Sequence, residues 1–100
     1  MTVVVIGILR FPPESIPALR PHIRALVETT RAKDGCIAYD VAEDLFDPGL
    51  IRFSEEWPDE ASLMAHLTAP HIEPWRDAAR ALGLMERKFT AYDGLNGRPV

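Results

Sequence analysis

The sequence is poor in sulfur, has no basic excess and carries no long apolar run. Its one cysteine, Cys36, cannot form an internal disulfide; it fits a reducing compartment, where such a residue is a small buried hydrophobe, so a cytoplasmic location is expected. Eleven Lys and Arg stand against 15 Asp and Glu, for a net charge of −4. Phosphate binding needs a basic stripe, and none is visible, so nucleic acid is not an expected partner. The most apolar stretch, "TVVVIGIL", lacks a basic leader and runs into Arg10 and two prolines. It is too short to span a bilayer and is read as a strand, which leaves no membrane partner. Glycine-rich phosphate loops, low-complexity segments and inter-domain linkers are also missing.

What is present is 100 residues with 47% hydrophobic and 26% charged side chains, the composition of an ordinary globular chain. That length allows one domain (1–100, with 94–100 as a tail) and a modest core, so a large ligand volume would be shared with a second copy. Residues 3–9 form a β-branched run without alternation, the pattern of a strand buried on both faces. "FPPES" ends it. Ile16, Leu19, Ile23, Leu26 and Val27 then recur at helical spacing up to "KDG", with Ser15 as a candidate N-cap and Gly35 as the C-terminal stop. Pro21 falls inside this pattern, so the helix either kinks there or becomes regular only near it. His22, beside it, is expected on the surface.

"CIAYDVAED" and "LIRFSEEW" alternate, placing Ile37, Tyr39 and Val41 on one face and Ile51, Phe53, Glu55 and Trp57 on another. "LFDPG" between them is turn chemistry, so the pair is a hairpin. Pro58 or Asp59 starts a helix with Leu63, Met64 and Leu67 as its apolar stripe. Pro70 interrupts it and opens a second helix carrying Ile72, Trp75, Ala78, Ala79 and Leu82, which stops at Gly83. "LMERKFTAYD" is a last strand. The order β-α-β-β-α-α-β is the split β-α-β of ferredoxin-like α+β folds with an antiparallel sheet. Helices cover one face of such a sheet, yet the first strand is apolar on both sides. A second sheet packed against it, in a homodimer, is the economical cover, ahead of the short, half-polar C-terminal tail.

The segments "GC.AYDVAED" and "F.EEW.DEASL.AHL..PH" resemble the antibiotic biosynthesis monooxygenase domain family, in a match that spans nearly the whole chain. The resemblance implies a dimeric α/β barrel and a pocket between helices and sheet. It also implies a cofactor-independent monooxygenase that oxidises a quinol or related small aromatic with O₂. Glu56, Trp57, His66 and His71 stand at the family's spacing. Domains of this fold also serve as isomerases, haem-degrading enzymes and non-catalytic small-molecule or stress-related proteins. The haem-degrading branch is disfavoured, because its Asn on the first strand, its Trp at position 66 and its His about ten residues later are all missing here.

Trp57, Tyr39, Phe53, Trp75, His66 and His71 are the residues expected to line the pocket. Cofactor-free oxygenation needs a base for the phenolic proton and a dry cavity, and histidine is the natural base. His66 is the first choice and His71 the second, with Trp57 and Tyr39 orienting the ring. Against this, both histidines are equally suited to bonding backbone at a helix break, and the tryptophans to filling the core. A shared metal is not expected. Histidines five apart on a continuous helix lie about 140° apart around its axis, against about 40° for the zinc-binding spacing of four, and no Cys or carboxylate stands at a ligand spacing nearby.

Overall fold

Its β-branched run places the first segment at the middle of a sheet. The computed structural model describes residues 2–94 and 96–100. Its elements are β1 (Val3–Arg10), a 3-10 turn (Pro13–Ser15), α1 (Ile16–Lys33), β2 (Ala38–Glu43), β3 (Leu50–Trp57), α2 (Glu60–Leu67), α3 (Ile72–Ala81) and β4 (Glu86–Asp93). The sheet order is β2-β3-β1-β4 with every neighbouring pair antiparallel. This is the ferredoxin-like α+β fold expected from the sequence.

Pleating sorts the strands by parity. On β1, Val3, Val5 and Leu9 are buried, and β3 adds Ile51, Phe53, Glu55 and Trp57 to the same face. The helices close over it with Leu19, Leu26 and Val27 from α1, Leu63 from α2, and Ile72 and Ala79 from α3. Gly7 lies opposite Phe53 on one side and Phe89 on the other. A Cβ at Gly7 would come within 2.3 Å of the Phe89 ring, so the ring occupies the space a side chain would take.

Several local expectations are corrected. β1 is not buried on both faces within one chain: Val4 and Ile8 are half-buried and Ile6 is 49% exposed. The helices cover the other face only, and the tail residues 96–100 are themselves exposed; Leu95 of the expected tail lies outside the described residues. Ile37 precedes β2 and is exposed, because the alternation that orients Tyr39 and Val41 begins only where the ladder begins. Met64 is exposed as well. In the two turns of α2 the inward positions go to Leu63 and His66, three apart, and the next residue along is rotated out by about 100°.

Ser15 precedes α1 without a side-chain cap. The helix runs through Pro21, which is exposed together with Pro17, so the carbonyl deprived of a partner is on the solvated side. Gly35, with φ of 72°, ends α1 as expected. Asp59 caps α2, its carboxylate accepting from the Ser62 N–H at 2.8 Å. Pro70 lies in the turn between helices, and α3 starts two residues later at Ile72.

Candidate active site

A cavity of about 390 Å³ opens between the inner face of the sheet and helices α2 and α3, within the range of small-molecule sites. Of the residues expected to line it, Tyr39, Phe53, His66 and Trp75 do so. Trp57 and His71 stand behind this wall. Trp57 is fully buried and supports His66 from below, the two ring centroids being 4.8 Å apart at 35°.

His66 is held on three sides. The capped start of α2 fixes its register, Trp57 backs the ring, and Tyr39 meets it edge-on at 5.2 Å. The fourth constraint comes from Asp34, at the C-terminus of α1, whose Oδ2 is 2.7 Å from His66 Nδ1. A carboxylate accepts, so Nδ1 carries the proton and Nε2 presents a lone pair. Nε2 has no protein partner, and no fully enclosed side-chain nitrogen or oxygen among the described residues lacks one. It therefore opens onto the cavity that His66 lines. Burial pushes the His66 pKa below its ordinary value, opposed by the hydrogen bond and charge of Asp34. The ring is thus neutral at pH 7 and available as a base.

The break between α2 and α3 folds the second histidine back toward the first. The ring centroids of His66 and His71 are 6.0 Å apart, and His71 Nε2 lies 3.1 Å from Asp34 Oδ2 and 3.1 Å from the hydroxyl oxygen of Thr30, itself fully buried. The expectation that no carboxylate stands near the pair did not reach Asp34, which comes from 32 residues upstream of His66. Asp34, His66 and His71 offer one ligand atom each, all within 4.8 Å of one another. That set suits a divalent cation in type. The same contacts are accounted for by protons alone, with Asp34 accepting from His66 and Thr30 partnering His71.

Among the described residues, Glu55 is the one acid on the cavity wall. It is 5% exposed, and its Oε1 accepts from the Trp57 indole N–H at 3.0 Å. Burial raises its pKa, and the Trp57 hydrogen bond and the Arg87 charge oppose that rise. The Tyr39 hydroxyl is pushed strongly upward by burial and by the nearby Glu55 and Asp34, so it keeps its proton and remains able to donate. Sequence reasoning named neither Asp34 nor Glu55 as a site residue. For Glu55 a signal existed: it is the single charged side chain on the face shared by Ile51, Phe53 and Trp57.

The family model described as antibiotic biosynthesis monooxygenase matches residues 2–78. A Mycobacterium tuberculosis protein named "Putative monooxygenase Rv0793" is 36% identical over 78 residues, 76% of each chain. Its solved structure superposes with a TM-score of 0.85 at 28% identity, covering 99% of this chain and 100% of that one. A Deinococcus radiodurans structure given the same family name superposes with a TM-score of 0.90 at 31% identity, over 98% and 97% of the two chains.

Proposed function

The chain belongs to the antibiotic biosynthesis monooxygenase family, and from that premise we propose that it is a cofactor-independent monooxygenase of a quinol or related small aromatic, acting in the cytoplasm as a homodimer. The observation that carries the reading is the neutral His66, with Nδ1 on Asp34 and Nε2 open to an aromatic-walled cavity. His66 Nε2 takes a phenolic proton. The phenolate gives one electron to O₂, the resulting radical and superoxide join at a ring carbon to form a C–O bond, and the peroxide anion takes back the proton held on His66 Nε2 to become a hydroperoxide. Loss of water from that hydroperoxide, with the hydrogen on the same carbon, leaves a carbonyl. One oxygen atom stays in the product, the other leaves as water, and the substrate supplies all four electrons. The protein's part is to hold the proton, exclude water and orient the ring, with Tyr39 as a fixed donor.

The homodimer rests on the outer face of the sheet. Val4, Ile6 and Ile8 form its central row, with Tyr92, Thr90 and Lys88 beside them on β4 and Glu56, Ser54 and Arg52 on β3. An aliphatic row framed by polar rows suits a second copy of the same sheet.

The test is oxygen uptake by metal-stripped protein over a panel of hydroquinones. Wild type should exceed autoxidation, and His66→Ala should lose about 10²–10⁴-fold in kcat. The pH profile gives a second readout. Because burial holds the His66 pKa down, the acid limb of kcat/KM should fall below pH 6.5, and Asp34→Asn should move it lower still by removing the charge that opposes burial. No turnover above autoxidation across the panel would remove the reading's support. Activity restored only by added metal would transfer the role to Asp34, His66 and His71 as ligands.

A further inference from the structure

We infer that the substrate carries a carboxylate at the end of the molecule remote from its reacting phenol, and that Arg87 recognises it. The inference rests on reading the cavity as a site for a phenolic compound. The chain has a net charge of −4, yet among the described residues the cavity wall carries Arg76, Arg80 and Arg87 against one acid, Glu55. The local sign is opposite to the global one.

The cationic end is set by the register. Tyr39 pairs with Glu55, and Glu55 with Val5, so His66 stands over the Val5 row and the Trp57 row next to it. Arg87 pairs with Leu9, four residues farther along β1, and its guanidinium reaches back over the Phe89 ring in the Gly7 row, two residues from Val5 or about 7 Å at the rise of a strand. Arg80 is brought to the same end, because α3 leads directly into β4 and Met85 N–H bonds the Arg10 carbonyl at 2.8 Å. Between the two ends lie Phe53 and Phe89, in edge contact at 5.1 Å. The cavity thus runs from a base, with Arg76 bonded to the nearby Leu67 carbonyl, across an aromatic floor to Arg80 and Arg87.

Charge pairing singles out Arg87. Arg10, Arg20, Arg24, Arg31, Arg52, Arg76 and Arg80 each have an acid within 4.0 Å. Arg87, among the described residues of the helices and strands, has no such partner; its guanidinium carbon rests 4.6 Å above the Phe89 ring. A guanidinium over the ring is held by cation–π attraction, and with no acid beside it its N–H groups are available to a planar carboxylate. With Arg76 and Arg80 each next to one exposed acid, Glu73 and Asp77, Arg87 offers the one fork on the wall without an acid beside it among the described residues, which matches a planar monoanion. The buried Glu55, in the Val5 row, lies nearer the phenol end and within range of the Arg87 charge.

The experiment measures binding without oxygen, so that it is independent of turnover. Affinities for 6-hydroxy-2-naphthoate and for its neutral amide are compared by naphthol fluorescence with wild type, Arg87→Gln and Arg87→Lys. Wild type should prefer the carboxylate about tenfold, the lower end for a charge-assisted contact at an open mouth. The preference should vanish in Arg87→Gln, survive partly in Arg87→Lys, and shrink with added salt, while amide affinity stays within about twofold across all three. Equal binding of the two compounds by wild type, binding of neither, or a preference that persists in Arg87→Gln overturns the inference. A carboxylate preference without oxygen uptake upholds it and defeats the oxygenase reading; oxygen uptake with neutral hydroquinones and no preference does the reverse.

Discussion

The two faces of the sheet are built from the same strands and have opposite characters. The inner face holds Val3, Val5, Leu9, Tyr39, Ile51, Phe53 and Trp57, all nearly inaccessible, and its few polar groups are bonded to one another. The outer face presents Val4, Ile6 and Ile8 to solvent in partial exposure, beside charged rows. Stability and chemistry are therefore invested on one side, where the helices exclude water. The other side has apolar surface whose only role in a lone chain would be to remain wet, an uncommon condition for a contiguous row.

The largest way to test this division is Trp57→Ala. Removing a fully buried indole should cost about 3–5 kcal/mol, most of the stability of a domain this small, and a thermal melt would show it. A drop of only a few degrees would mean that the inner face is less tightly packed than its burial indicates.

A finer test uses neighbours on β3 that point to opposite sides. Glu55, facing inward, has its pKa raised by burial, so the folded chain holds that proton more tightly than the unfolded one. Its contribution to stability is complete below the ordinary carboxylate pKa and is lost as pH rises through the raised value. Glu55→Gln keeps an acceptor for the Trp57 N–H and removes the titration. It should match wild type at pH 4 and be the more stable of the two at pH 8, by denaturant melts at both values. Glu56→Gln, on the outer face, leaves the Glu55–Trp57 contact untouched and serves as the control for a charge removed from the same strand. Identical profiles for Glu55→Gln and wild type would erase the inward character assigned to this position.

The smallest effect on folding, and the one that decides what the outer face is for, is expected from Ile6→Arg. At a site already 49% exposed, the substitution should change the stability of the single chain by no more than about 0.5 kcal/mol. Sedimentation at micromolar concentration should nevertheless shift from dimer to monomer, since a charge in the middle of a sheet-to-sheet contact would be buried without a partner. A monomeric wild type would end the two-sheet proposal.

Much of the architecture could be read before the structure was known, because periodicity reports burial directly. The odd positions of β3 and the stripe of α1 are where the pattern placed them, and of the two starts it offered for α2, Pro58 or Asp59, the cap is Asp59. Ile37 and Met64 failed for a local reason: hydrophobicity alone does not say where a ladder starts or how few turns a helix has. The site was half legible. Tyr39, Phe53, His66 and Trp75 are on the cavity wall, but Asp34 was read only as part of a helix stop, and Arg87 only as one charge in a strand. Both depend on contacts across the fold, and no spacing rule links residue 34 to residue 66 or residue 87 to a ring that a ligand would cross.

Gly7 has a consequence for what the protein can accept. The Phe89 ring rests where a methyl group at position 7 would be, so the floor between the base and the guanidinium is set by an atom that is missing. Gly7→Ala would lift that ring into the space a bound ring system needs. A single carbon at the centre of the sheet thus acts as a gauge of ligand thickness, and a lineage could change the girth of its substrate there without altering any residue that does chemistry.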